Sequence, residues 1–176
     1  MKIGFTGTMS VGKTTLVKAL KELPEFKDYK FATERSEYLR DLGIPLNTDS
    51  TIKGQLIFLA ERSSELLQED VITDRTIIDV IAFTKSAKSI PMFMSHQFEK
   101  LASHLIKEYD YIFYVSPEGV ELEDNGIRVV DQEYRKEIDN SIKKIIDKYI
   151  KNKNFYAELS GSTEERIKKI KQTIFH

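Results

Sequence analysis

The chain has 176 residues, a formal net charge of −1, 40% hydrophobic and 31% charged residues, and no cysteine. That length predicts one domain with a real core, and the near-neutral charge gives no argument for a nucleic-acid partner. The absence of cysteine excludes disulfides, thiolate metal sites and thiol catalysis and fits a reducing cytosol, while no apolar run approaches the roughly 20 residues of a membrane span.

Strand and helix signals alternate along the chain. Lys2-Ile3-Gly4-Phe5-Thr6 is a short β-prone run predicted as strand one over residues 2–6. No signal peptide is visible ahead of it, and a cytoplasmic protein is expected. Next comes Gly7-Thr8-Met9-Ser10-Val11-Gly12-Lys13-Thr14, two glycines with four variable residues between them, then Lys and Thr. This is the P-loop pattern. Such a loop must point several backbone N–H groups at one phosphate chain, and glycine permits the close approach. The cofactor-binding set is therefore Gly7, Ser10, Val11, Gly12, Lys13, Thr14 and Thr15. Lys13 is expected to reach the β- and γ-phosphates of ATP, and the Thr14 hydroxyl to bind Mg²⁺. A helix over 13–22, with Leu16, Val17 and Leu20 on one face, would add its N-terminal dipole.

Pro24 stops that helix. Tyr29 to Thr33 reads as strand two, and a helix near 34–42 ends at Gly43, with Pro45 beyond it. Asp49 or Ser50 is the expected cap of a long helix to about Gln68, and Asp70 to Asp74 is strand three. Thr76 and Asp79 have capping-box spacing for a helix at 77–87. Ser95 to Glu108 reads as one helix, and Asp110 to Val115 as a buried strand four closed by Ser116-Pro117. Residues 118–130 form a polar loop, after which Asp131 caps a helix to about Lys151. Asn154 to Leu159 is strand five, Ser160-Gly161-Ser162 a turn, and Thr163 to Gln172 the last helix. This alternation predicts an α/β fold, a parallel sheet with helices on both faces.

In such sheets ligands gather at the carboxyl ends of the strands. Strand two ends at Thr33-Glu34-Arg35 and strand three at Thr73-Asp74-Arg75, so each delivers an acid and an arginine toward the glycine loop. Phosphoryl transfer needs a carboxylate to orient Mg²⁺, its water or the attacking oxygen, and guanidinium groups to neutralise phosphate. The alternative is a pair of helix caps with surface ion pairs. Asp79 reads as a first-turn cap before a catalytic acid. Gln55, Leu59, Arg62 and Leu66 share a helical stripe with Phe58 beside Gln55, and an amide next to a ring suits a nucleobase. A helix whose polar residues merely leave the core is the other reading.

Glu121 to Arg135 looks like a lid, with Asn125-Gly126 as its flexible point and Arg128 and Arg135 able to reach the donor phosphates; an ordinary polar loop is the alternative. Only seven of the 27 basic residues are arginine, and six of them (Arg35, Arg40, Arg62, Arg75, Arg128 and Arg135) fall in segments placed around the phosphate loop. Arg40 suits an acceptor phosphate or a solvated helix face equally. His96, His104 and His176 lack metal-ligand spacing, and Met92-Phe93-Met94 reads as packing or a pocket wall.

Together these blocks resemble the small P-loop kinases of phages and bacteria that phosphorylate nucleosides or nucleotides, a group related to the nicotinamide-riboside kinase domain. The residues that carry the resemblance are Ile3 to Gly7 running into Val11 to Leu16, Ala32 to Arg35 with Gly43-Ile44-Pro45, and Gln55. Thr73-Asp74-Arg75 with Asp79, Asp124 to Arg128 with Arg135, and Leu159 to Ser162 extend it over nearly the whole chain. The resemblance implies a P-loop NTPase fold, with a five-stranded parallel sheet of order 2-3-1-4-5. It implies one domain over 1–176 with a lid at about 118–136.

It also implies ATP- and Mg²⁺-dependent phosphoryl transfer to a nucleoside or nucleotide, and the arginines clustered on the acceptor side favour a (deoxy)nucleoside monophosphate as the acceptor. The catalytic residues would be Lys13, Asp74, Arg75, Arg128 and Arg135, and Thr14 and Asp74 would hold the metal. Glu34, Arg35, Gln55, Phe58, Arg62 and Arg75 would bind substrate, and Gly161 and Ser162 would border the donor adenine. A level alternative for that turn is a helix start capped by Thr163. The alternative activities are a nucleoside kinase, with Glu34 or Asp74 as general base, and a nucleotide-dependent regulatory ATPase. A GTPase-type Asn-Lys-x-Asp is absent from the sequence. Monomer and homodimer both stay open.

Overall fold

The computed structural model describes residues 1–33, 35–118, 132–151 and 153–175. Five strands, β1 (Lys2–Thr6), β2 (Lys30–Ala32), β3 (Val71–Asp74), β4 (Tyr111–Val115) and β5 (Tyr156–Leu159), form one sheet in the order β2-β3-β1-β4-β5. Every pairing is parallel, as the alternation of elements predicts. β1 lies central, with Phe5 level with Asp74 of β3 and with Phe113 of β4.

Strand periodicity divides the core in two. Ile3, Phe5, Phe113 and Val115 face a cluster closed by Leu16, Val17 and Leu20 of α1 (Lys13–Lys21) and Ile170 of α7 (Thr163–Phe175). On the opposite side Ile112 and Tyr114 meet Ile77, Ile78 and Ile81 of α4 (Ile77–Ser86) and Ile138, Ile142 and Ile145 of α6 (Gln132–Tyr149). Gly4 faces this second cluster, where a Cβ would lie 2.5 Å from Thr76 Cγ2 and 2.7 Å from the Tyr109 ring. The helix α4 can therefore sit directly on the sheet next to the phosphate loop. Two further helices, α2 (Ser36–Asp41) and α3 (Ile52–Glu65), follow β2.

Several element ends differ from the sequence reading. Thr51, not Asp49 or Ser50, caps α3, its hydroxyl accepting from Gly54 N at 3.2 Å; Asn47–Asp49 is a 3₁₀ turn instead. The helix expected over 95–108 begins earlier, as α5 (Met92–Ala102) after Pro91, and passes into a 3₁₀ stretch over Ser103–Glu108. Proline fixes the start because it lacks the N–H a preceding turn would need. Met92 and Phe93 are 76% and 69% exposed at that start, so neither is the core packing or pocket wall expected of them. The loop expected over 118–130 and the cap Asp131 lie outside the described residues except at 118.

Candidate active site

The glycine loop joins β1 to α1. Gly7 has φ +151°, and a Cβ there would stand 2.6 Å from the Val115 carbonyl oxygen of the neighbouring strand. Ser10 (φ +55°) and Gly12 (φ +81°) are both left-handed. Turns of this kind fold a loop into a concavity that gathers N–H groups around an anion, and α1 begins at its rim with Lys13. Lys13 is buried and its Nζ donates to the carbonyl oxygens of Gly7 (2.7 Å) and Thr8 (2.6 Å). Thr14 Oγ1 donates to Asp74 Oδ2 at 2.5 Å, so the loop and the end of β3 meet as the sequence reading requires. Thr15 is exposed on α1.

A hydroxyl beside a single carboxylate fits Mg²⁺, which takes hard oxygen ligands, uses one or two carboxylates and leaves its other positions to phosphate and water. Among the described residues no group of three or more His, Cys, Asp or Glu is arranged to hold a metal on its own.

Two guanidinium groups reach the loop from distant helices. Arg135 of α6 donates through Nη2 to Ser10 O at 3.4 Å, while its own carbonyl accepts from Thr8 Oγ1 at 3.0 Å. Arg166 of α7 donates through Nη1 to Val11 O at 2.8 Å. Arg166 lies outside the set expected from the sequence, where its one signal is its place one turn before Ile170 on the inward stripe of α7, a position at which an arginine needs a buried partner.

The end of β3 and the start of α4 bring a further arginine and acid to the loop. Arg75 has φ +100°, a conformation an L-residue adopts at a cost. Its N–H donates to Phe5 O at 3.0 Å, its guanidinium lies 5.1 Å from the Phe83 ring centroid, and Nη1 is 3.3 Å from Asp79 Oδ1. Asp79 completes the expected capping box: Oδ2 accepts from Thr76 N (2.8 Å) and Thr76 Oγ1 (3.0 Å). Its Oδ1 also accepts from Gly7 N at 3.4 Å, so one carboxylate joins cap, phosphate loop and arginine.

Arg75 and Asp79 border an open pocket. Its walls are apolar at Met9, Phe58, Val80 and Phe83, with Gln55, Asn47, Ser36 and Ser50 as polar groups. Arg75 and Asp79 are the charged side chains among its lining residues. Gln55 is 2% exposed and Phe58 stands one turn along the same helix, the juxtaposition proposed for a base.

Arg35, Arg40 and Arg62, expected around the loop, pair away from this pocket. Arg62, 3% exposed, pairs with Glu65 Oε1 at 2.6 Å and donates to the main-chain oxygen of Asp74 at 3.3 Å. It supports the strand end from beneath and is not a pocket-lining group. Burial pushes the Glu65 carboxyl up to about 7, against the opposing pull of Arg62. Arg35 is exposed, 3.3 Å from Glu61 Oε1 and over the Tyr38 ring at 4.5 Å. Arg40 pairs with its neighbour Asp41 at 2.9 Å on the solvated face of α2.

The turn after β5 is used as a helix start. Ser162 N donates to Glu165 Oε2 (2.7 Å) and Ser162 Oγ accepts from Glu165 N (3.2 Å), a reciprocal cap one residue earlier than Thr163. Gly161 has φ +81°, with room for no Cβ beside Glu165. Glu34 and Arg128 lie outside the described residues.

A glycine loop after the first strand of a 2-3-1-4-5 parallel sheet defines the P-loop NTPase fold. A family model described as an AAA domain matches residues 2–166, and the chain belongs to that family. It is 26% identical to a thymidylate kinase of Prosthecochloris aestuarii, over 99% of this chain and 86% of that protein. Deoxyadenosine kinase from M. mycoides, solved with bound dCTP, superposes with a TM-score of 0.70 at 17% identity, covering 99% of both chains. The NadR protein in complex with NR superposes with a TM-score of 0.72 at 19% identity; it covers 99% of this chain, which spans about half (51%) of NadR. Among the described residues, no helix is long and apolar enough to cross a membrane.

Proposed function

We propose that the protein is a phosphotransferase that moves the γ-phosphoryl group of ATP to the 5′-hydroxyl of a nucleoside held in the pocket beside the phosphate loop. The observation that carries this choice is the charge of that pocket. Among its described lining residues the one arginine, Arg75, is paired with Asp79, while Arg35 and Arg62 are turned to Glu61 and Glu65. A monophosphate brings about two negative charges and calls for guanidinium charge beyond what the neighbouring carboxylates already offset; a neutral nucleoside does not.

On the donor side, the amides of the Gly7–Thr15 segment grip the phosphate chain, and Lys13 exchanges the carbonyls of Gly7 and Thr8 for phosphate oxygens. Thr14 and Asp74 are the residues that would hold Mg²⁺, which, when bound, neutralises charge on the phosphates. The turn at Gly161 and Ser162 borders the donor base as a packing surface, because the N–H and the hydroxyl of Ser162 are both engaged with Glu165.

On the acceptor side Gln55 pairs with the base edge and Phe58 and Phe83 pack against the ring. Glu34 is the proposed base. It takes the hydroxyl proton as the oxygen bonds to the γ-phosphorus and ADP departs, while Asp74 stays engaged with Thr14. Arg135, with Arg128, neutralises the transferring group, the segment at about 118–136 acting as a lid over a single domain, and the enzyme works in the cytoplasm.

A monophosphate acceptor is the second reading. It is favoured by the 26% identity to a protein named thymidylate kinase, and Arg75 and Arg35 would then grip the acceptor phosphate. ADP release measured with ATP, Mg²⁺ and a panel of nucleosides and nucleoside monophosphates separates the readings. Stimulation by nucleosides is expected. Stimulation by monophosphates alone would select the second reading, and hydrolysis indifferent to every acceptor would point to a regulatory ATPase.

A further inference from the structure

We propose that Arg166 is a positioning residue for phosphate binding: its guanidinium holds the Val11 carbonyl outward and so keeps the neighbouring N–H groups of the loop turned toward the donor phosphates. Arg166 stands in the first turn of α7, about 150 residues from the loop in sequence, yet is only 5% exposed. Its Nη1 donates to Val11 O at 2.8 Å. Burial lowers its pKa, and its Nε is enclosed with no hydrogen-bond partner among the described residues. Burying a guanidinium is costly, and one carbonyl does not balance that cost. A group kept there at such a cost calls for a role beyond packing.

The geometry of the loop supplies that role. Val11 lies between two left-handed residues, Ser10 and Gly12. In a loop that gathers N–H groups inward, the intervening carbonyls have to point away, or they would oppose the anion. A carbonyl turned away from water needs a donor. Arg166 is that donor for Val11, as Arg135 is for Ser10 at the longer distance of 3.4 Å. A Cβ on Gly12 would come within 3.2 Å of Arg166 Nη1, so this glycine also leaves the space the guanidinium occupies. The buried positive charge, held on the Val11 carbonyl, raises the potential of the loop toward an anion.

The inference rests on the donor-binding reading above, and the test separates the two. ATP affinity is measured by calorimetry for the wild type, Arg166→Met and Arg166→Lys, with KM for ATP and for the acceptor, and melting temperature as a check of folding. For Arg166→Met the dissociation constant and KM for ATP are expected to rise roughly ten- to hundred-fold, the range for losing a charged hydrogen bond. The acceptor KM should stay unchanged, and Arg166→Lys, which keeps a charged donor, should recover part of the loss. Wild-type protein that fails to bind ATP would sink the donor-binding reading itself. Wild-type binding with equal affinity in Arg166→Met would overturn this inference alone. Equal rises in both KM values, or failure of both variants to fold, would also overturn it by making Arg166 a group that only holds the fold.

Discussion

Lys13 and Thr14 are adjacent in the chain and do different work. Lys13 is held against two carbonyls of its own loop, a resting partnership that a phosphate chain can replace, while Thr14 already touches Asp74. Lys13→Ala should therefore lose turnover by about 10²–10³-fold or more, the range for losing one preorganised charge-stabilising donor, with an unchanged far-ultraviolet circular dichroism spectrum. A variant that turns over normally would remove Lys13 from the mechanism. Gln55 offers a second single-residue test. Gln55→Leu removes an amide buried in the pocket wall, so the acceptor KM should rise at least about tenfold, since an unpaired base edge must then be buried. The KM for ATP should hold. The arginines teach a lesson at this scale. Arg62 was legible as part of a buried stripe, and its partner Glu65 lies three residues on, at the spacing where helix neighbours meet. That local pair, not a pocket ligand, accounts for the burial of Arg62. Arg166 needed a contact across nearly the whole chain, which spacing does not carry.

At the scale of elements, strands were read from apolar runs and helices from periodicity, and those signals are strong where both faces of a strand are covered, as in β1 and β4. Caps are less legible because candidates stand side by side: Thr51 follows Asp49 and Ser50, and Ser162 precedes Thr163. The cap at Ser162 yields a prediction. Ser162→Ala should lower stability by about 1 kcal/mol in chemical denaturation while leaving the KM for ATP unchanged; a raised KM with unchanged stability would restore its side chain to the donor site. The helix α3 carries a pH signature. The folded protein holds the Glu65 proton up to about 7, above the ordinary carboxylate value of 4.5. Because the folded state binds the proton more tightly, this stabilising contribution is complete below pH 4.5 and is lost as the pH rises to 7. Glu65→Gln should flatten the fall of stability across that window relative to the wild type, and an identical slope in the two proteins would refute the assignment. Glu99 acts in a separate range: Lys85, Lys148 and Tyr149 hold it down to about 2 against the cost of burial, so its contribution appears as the pH rises from 2 to 4.5.

Across the whole molecule, the sheet brings together what the chain keeps far apart. Asp74 and Arg75 at the end of β3, the loop after β1, Arg135 of α6 and Arg166 of α7 meet at the carboxyl edge of one parallel sheet. Of the six arginines expected there, Arg75 and Arg135 reach this edge, Arg35, Arg40 and Arg62 pair elsewhere, and Arg128 lies outside the described residues; Arg166, not among the six, joins them. Donor binding at this edge links to global stability. With ATP and Mg²⁺ at one hundred times the dissociation constant, unfolding should cost about 2.7 kcal/mol more, read as a higher melting temperature that Lys13→Ala does not share. The most direct measurement is the mass of the acceptor after incubation with enzyme, ATP and Mg²⁺. A nucleoside that gains one phosphoryl group, with no gain in the Lys13→Ala control, is the predicted result. Unchanged nucleosides beside protein that binds ATP would contradict the proposed transfer.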